Sequence, residues 1–209
     1  TFDPTKRTSL ITVADMCRKI EENSISLPLY QRDISWTLQK CIDLLNYQLW
    51  GKAPVSPISI NVINTVDSAV PQVSFIDREI ISTIERGQYS VVDGQQRLTT
   101  NYKAYCNHDD FRNIVLDLGK GEFTEVRDSI RSNQIPVGIL LNKEDTKLFE
   151  YTKAKSALGS ADVLSVLLQV RSKMRNYNYT LNSAEDLTED EQIEWFEVLN
   201  NAGSRVSII

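Results

Sequence analysis

The sequence holds a single histidine, His108. Nuclease centres of the HNH kind and zinc hydrolase sites draw on two or more histidines, so the cutting chemistry of such enzymes is not expected within this stretch. His108 stands in the polar run Cys106-Asn-His-Asp-Asp110 and reads as a solvated helix-end residue. Cysteine is scarce as well: Cys17, Cys41 and Cys106 are too scattered for a disulfide framework. With no Cys-x-x-Cys pair a structural zinc site is not expected either, and the simplest reading is reduced thiols in a cytoplasmic protein. Positive charge is short too, since 23 Lys and Arg face 28 Asp and Glu, a net charge of -5. Proteins that grip nucleic acid over a broad face carry a basic excess, so any DNA contact is local or comes from elsewhere in a longer protein. The basic cluster Arg171-Ser-Lys-Met-Arg175 reads as a solvated helix face. No run of about 18 apolar residues occurs and no signal peptide is evident, so no membrane partner is expected. The chain starts at Thr1 without a methionine and stops at Ile209 without a polar tail, which reads as a piece of a longer protein. Oligomeric state is not legible.

What is present suits a core. Hydrophobic residues make up 41% and charged residues 24% of 209 positions, and a chain of that length hides roughly 70% of its unfolded surface. Periodicity predicts a helix over 12–22 capped by Thr12, an extended segment over 25–30, and an amphipathic helix over 37–49 ended by Gly51. Alternating Ile58, Ile60 and Val62 predict a strand over 57–63. Residues 64–72 read as loop, and 75–84 fit strand or helix equally. A short strand over 89–92 and a helix over 97–106 flank Asp93-Gly94. Gly119-Lys-Gly121 reads as the turn of a hairpin, and 135–141 as a further strand. Helices are predicted over 143–156, 161–176 and 188–199, with a short extended piece at 178–181. The expected class is α+β: a mixed sheet with helices over 1–142, then a mostly helical part over 143–209 packed on it.

Three segments make little sense as core. The first is Tyr89-Ser-Val-Val-Asp-Gly-Gln-Gln-Arg-Leu-Thr-Thr100. A strand, a glycine and a helix start aim free backbone N–H groups and the positive helix end at one point, which suits an anion, usually phosphate. Gly94 lets the backbone approach closely, Arg97 can fork onto phosphate oxygens, and Thr99 and Thr100 add hydroxyls. Asp93 fits beside phosphate if it holds magnesium, positions a water or bonds a ribose. Gln95 and Gln96 can orient a water or read a base edge. The same block also fits a plain helix start capped by Asp93, with Arg97 in a surface ion pair. The second segment is Leu27-Pro-Leu-Tyr-Gln-Arg-Asp-Ile-Ser-Trp36. Its Tyr30, Gln31, Arg32 and Trp36 can stack on a base and pair with phosphate, or Tyr30 and Trp36 can plug the core beside an Arg32–Asp33 pair. The third runs from Phe196 to Ser207, where Asn200 and Asn201 cap a helix before Gly203 or reach a ligand.

In this order the three segments resemble domain-of-unknown-function family 262, the N-terminal domain of GmrSD-type modification-dependent restriction enzymes and of SspE-like phage-defence proteins. The resemblance spans residues 8–207, and its most diagnostic block, Asp93-Gly-Gln-Gln-Arg97, is intact. Leu27 stands for a commoner Ile, Val206 for Leu, and Ser204-Arg205 for a small-residue–Pro pair, which leaves the roles of Asn200 and Asn201 open. The resemblance implies a fold related to ParB and sulfiredoxin, in which a Gly-x-x-Arg turn holds nucleotide phosphates. It further implies GTP or ATP binding and hydrolysis, with Mg2+, centred on Asp93, Gln95, Gln96 and Arg97. Tyr30, Gln31, Arg32, Trp36, Gly94, Thr99, Thr100, Asn200 and Asn201 would be the binding residues. That activity would be coupled to attack on foreign or modified DNA by the whole protein, with a nuclease domain or partner subunit beyond this chain. A non-enzymatic ParB-like switch or scaffold is the other expectation.

Overall fold

The computed structural model describes residues 7–33 and 35–202. Ile34 of the second motif and residues 203–207 of the third, Gly203 as a helix cap among them, lie outside the described residues.

The chain enters through β1 (Thr8–Thr12) and turns at once into α1 (Val13–Glu21). The Thr12 hydroxyl accepts from the Asp15 amide at 3.2 Å, which satisfies one of the helix's orphan donors. Val13, Met16, Cys17 and Ile20 form its buried face. β2 (Ile25–Pro28) follows, then α2 (Leu38–Trp50), closed by Gly51 in the left-handed region at φ +57°. β3 (Ile58–Ile63), β4 (Gln72–Val73) and β5 (Gln88–Asp93) lead into α3 (Gln95–Tyr105). The expected hairpin is β6 (Ile114–Asp117) and β7 (Glu122–Glu125). β8 (Gln134–Pro136), α4 (Val137–Leu140), α5 (Asp145–Ala154), α6 (Ala161–Arg175), β9 (Asn178–Glu185) and α7 (Glu189–Ala202) complete the order.

The main sheet has the order β1-β9-β3-β5-β2-β4, and β7-β6-β8 form a second, antiparallel sheet. Within the main sheet β9 runs parallel to β3 and β5 parallel to β2, while the other pairs are antiparallel. This is the mixed α+β class expected, with helices dominating after residue 142. β9, from that later region, inserts between β1 and β3. One apolar core lies between the main sheet and the α1 and α3 helices, and a second joins α2, α4, α5 and α6 to the small sheet. A buried polar knot links the layers: Gln48 Nε2 donates to the Tyr179 hydroxyl at 2.8 Å and Asn101 Nδ2 to Gln48 Oε1 at 2.8 Å.

Several expectations give way to tertiary context. Ile58–Ile63 alternates in sequence, yet its polar Ser59 and Asn61 are also buried, because β3 is an inner strand. Asn61 is satisfied there by accepting from the Leu187 amide at 2.9 Å. The strand predicted over 135–141 stops at Pro136, and Val137–Leu140 winds into α4. That apolar run is buried either way, so periodicity could not separate the two. Residues 75–84 are neither long strand nor helix but part of a tight hairpin closed by a Val73–Ile80 bridge. Arg171 is no solvated residue: it is 5% exposed, donating to the Leu140 carbonyl at 2.8 Å and to Asp145 at 2.6 Å. Arg175 donates to the Asn142 carbonyl at 3.1 Å. These arginines fasten α6 to the α4–α5 connection. His108 Nδ1 accepts from the Asp110 amide at 3.1 Å and caps the turn after α3.

Candidate functional site

β2 and β5 lie side by side and parallel, so their carboxyl ends emerge at the same edge. Crevices outside the carboxyl ends of parallel strands are where ligands bind in open sheets. From β2 the chain leaves as the loop carrying Tyr30 to Trp36. From β5 it turns at Gly94 into α3. Gly94 has φ +109°, and a Cβ there would lie 2.4 Å from Ile58 Cδ1 and 3.3 Å from Arg97 Nη2. The backbone angle therefore favours glycine, and the Ile58 side chain fills the space that a Cβ would take. Gly94 itself, not Asp93, is the α3 N-cap, and no side chain caps the helix. The first-turn N–H groups and the positive helix end are left toward the space in front of Gln95, Gln96 and Arg97.

That space is a cleft of about 880 Å³. Tyr30, Gln31, Arg32, Trp36, Asp93, Gly94, Gln95, Gln96, Arg97 and Asn200, drawn from all three sequence segments, line it. Each wall is held by specific bonds. Gln31 Nε2 donates to the Val91 and Val92 carbonyls at 3.1 and 2.7 Å, fastening the loop to the end of β5. Gln96 Oε1 accepts from the Trp36 amide at 3.3 Å, fastening the same loop to α3. The Tyr30 hydroxyl donates to Gln192 Oε1 at 3.2 Å, and the buried Gln192 ties that contact into α7. Burial, with the Glu189 carboxylate second, pushes the Tyr30 phenol up to about 12.

Arg97 is engaged rather than free. Its Nη1 donates to the Ser56 carbonyl, its Nη2 to the Pro57 carbonyl at 3.3 Å, and Asp93 lies 3.7 Å away. The guanidinium thus fastens the entry of β3 to α3, with its side chain 13% exposed. Among the described residues, neither the Arg32 nor the Lys40 side chain has a hydrogen-bond or ion-pair partner, and both line the cleft.

Thr99 and Thr100 line a separate cavity of about 170 Å³ behind the loop. Thr100 is buried and donates to the Gln96 carbonyl at 2.8 Å. Asn200 reaches the cleft but donates to the Phe196 carbonyl of its own helix at 2.8 Å. Asn201 is exposed on α7, outside the cleft walls. Sequence reasoning missed Lys40, Ile193, Phe196 and Glu197 as walls. Lys40 could have been found by carrying the Tyr30–Trp36 segment into the first turn of α2. Phe196 could have been found from its i, i+4 spacing to Asn200.

Asp93 and Glu197 are the carboxylates of the cleft, and no group of three metal-ligating side chains occurs among the described residues. A lone carboxylate suits magnesium when phosphate oxygens supply other ligands. No helix among the described residues is long and apolar enough to cross a membrane.

The fold and the cleft define an α+β domain with its ligand-sized opening at a glycine turn between strand and helix. The chain belongs to the family described as GmrSD restriction endonuclease, N-terminal domain, which matches residues 13–208. It is thus a module of the restriction and phage-defence class. No match is found among curated proteins.

Proposed function

We propose that the cleft binds a nucleoside triphosphate and hydrolyses it, as the nucleotide-handling part of a DNA-targeting restriction protein. The observation that carries this is the uncapped α3 N-terminus opening into a cleft lined by residues from all three motifs. The phosphates would lie on the α3 N-terminus beside Arg32 and Lys40, whose charges are unengaged. Tyr30, Trp36 and Phe196 supply aromatic faces for the base. Arg97 acts mainly by holding β3 against the turn. Magnesium would be held by Asp93 with phosphate oxygens, where it would neutralise charge on the leaving diphosphate. Gln95, which lines the cleft, would orient a water whose oxygen bonds the terminal phosphorus as its bridging P–O bond to the nucleoside diphosphate breaks, giving nucleoside diphosphate and inorganic phosphate, with a water proton passing to solvent. Contact with DNA belongs to the whole protein, in keeping with the net charge of -5.

A second reading is a nucleotide-binding switch without turnover. It draws on the Asp93–Arg97 pair at 3.7 Å, which engages the carboxylate beside the α3 N-terminus. Binding of fluorescent GTP and ATP, measured alongside phosphate release, separates the two. Saturable binding with release supports hydrolysis, binding without release supports the switch, and no binding of any nucleotide overturns both.

A further inference from the structure

Among the described residues, two of the five non-glycine residues at positive φ share one hairpin, behind the Tyr30–Trp36 loop. The hairpin hung on β4 carries Ile76 at φ +66° and Arg78 at φ +52°. A β-branched residue at positive φ is a genuine outlier, and such strain persists only where the surroundings over-determine it. The hairpin is closed by the Ser74 amide donating to the Glu79 carbonyl at 2.9 Å. Its neighbour in the sheet is β2, and Leu29 N donates to the Pro71 carbonyl at 2.8 Å. From this position Arg78 Nη2 reaches across to the Gln31 carbonyl at 2.7 Å and the Leu29 carbonyl at 3.3 Å. Those carbonyls flank Tyr30. Among the described residues, the buried side-chain atoms without a hydrogen-bond partner are Arg78 Nη1, Gln31 Oε1 and Ser90 Oγ, so two of the three fall on this bonded pair. Native structures leave few such atoms, and each calls for a reason. Arg78 also lines the 170 Å³ cavity, whose other walls include Trp36, Gln95 and Gln96 of the cleft.

We propose that Arg78 is a positioning residue for the nucleotide cleft: from behind, its guanidinium sets the Leu29–Gln31 turn and so the placement of Tyr30, Gln31 and Trp36. The reason for the strain is geometric. The hairpin must bring one guanidinium nitrogen, Nη2, onto two carbonyls of a turn that has left its sheet, and Arg78 holds it there from a positive φ. This inference rests on reading the cleft as a nucleotide site.

The test uses a background in which Trp50 and Trp195 are replaced by Phe, so that Trp36 alone reports the loop. In that background R78A is expected to shift Trp36 emission to the red and to raise its quenching by acrylamide. It is also expected to weaken fluorescent-GTP or -ATP binding by about tenfold or more, as small misplacements of binding groups do. The thermal midpoint should fall by only a few degrees. R78K, which keeps the charge but loses the guanidinium's length and planarity, should restore less than half of the lost affinity, and it carries the test if R78A does not fold. Unchanged Trp36 emission and quenching would overturn the proposal, as would wild-type nucleotide affinity in R78A. If the parent binds no nucleotide the functional reading falls alone: the Trp36 shift then upholds the loop-setting role, and its absence overturns it.

Discussion

Gly94→Ala tests the turn on which the cleft is built. The position has φ +109°, and a Cβ would meet Ile58 Cδ1 at 2.4 Å. An L-residue held in left-handed space costs roughly 1–2 kcal/mol. The clash adds an overpacking cost of about 1–3 kcal/mol, since Ile58 is fully buried and has little room to withdraw. The expected destabilisation is therefore about 2–5 kcal/mol, measured by urea unfolding followed by circular dichroism. The two parts separate in a double-mutant cycle. Ile58→Val removes the clashing methyl and alone costs about 0.5–1.5 kcal/mol. In the G94A background it should recover part of the loss, giving a favourable coupling of about 1 kcal/mol or more, while the backbone cost remains. A G94A protein within about 0.5 kcal/mol of the parent, or a cycle with no coupling, would refute this account of the turn.

Further outcomes follow from the same structure. Arg32→Ala and Lys40→Ala should each weaken nucleotide affinity by about tenfold, and the parent's affinity should fall with added salt, as expected for charges at a solvent-open site; fluorescence titration at two ionic strengths checks both. Tyr30 has its phenol raised to about 12, so the folded state keeps a proton that the unfolded chain releases near its ordinary value of 10. Its contribution to stability is full below pH 10 and is lost as pH rises toward 12. In a spectrophotometric alkaline titration, Tyr30→Phe should remove one tyrosinate from the step near pH 12 and none from the step near 10. Tyr179→Phe strips the buried knot of the hydroxyl that accepts from Gln48 at 2.8 Å and donates to Asn101 at 2.5 Å; a loss of about 1–3 kcal/mol is expected by urea unfolding.

Where local chemistry decided the outcome, the sequence was readable. Thr12, Gly51 and the Gly119-Lys-Gly121 turn act as caps and turn formers because their effects extend only one turn along the chain. The Asp93–Arg97 block was recognisable as a strand–glycine–helix start for the same reason. What sequence could not decide was partnership at a distance. Nothing local says that Gly94 rather than Asp93 is the α3 N-cap, or that Arg97 gives its donors to the Ser56 and Pro57 carbonyls. Thr100 looked like a phosphate hydroxyl, but it stands one turn further along α3 than Gln96, buried beside Cys41. Arg171 looked solvated because its sequence neighbours are charged, whereas its real neighbours are Leu140 and Asp145. Lys40 and Phe196 gained meaning only once α2 and α7 were seen to wall the cleft.

On the proposed function, the α3 N-terminus receives the phosphates of a nucleotide. Backbone amide chemical shifts, recorded by NMR while a non-hydrolysable GTP or ATP analogue is added with magnesium, test it most directly. Saturable changes are expected, largest at Gly94, Gln95, Gln96 and Arg97, with smaller ones through Tyr30 to Trp36. Absence of any saturable change, or changes centred on the separate opening around Glu22, Ser82 and Arg86 at the other end of β5, would contradict it.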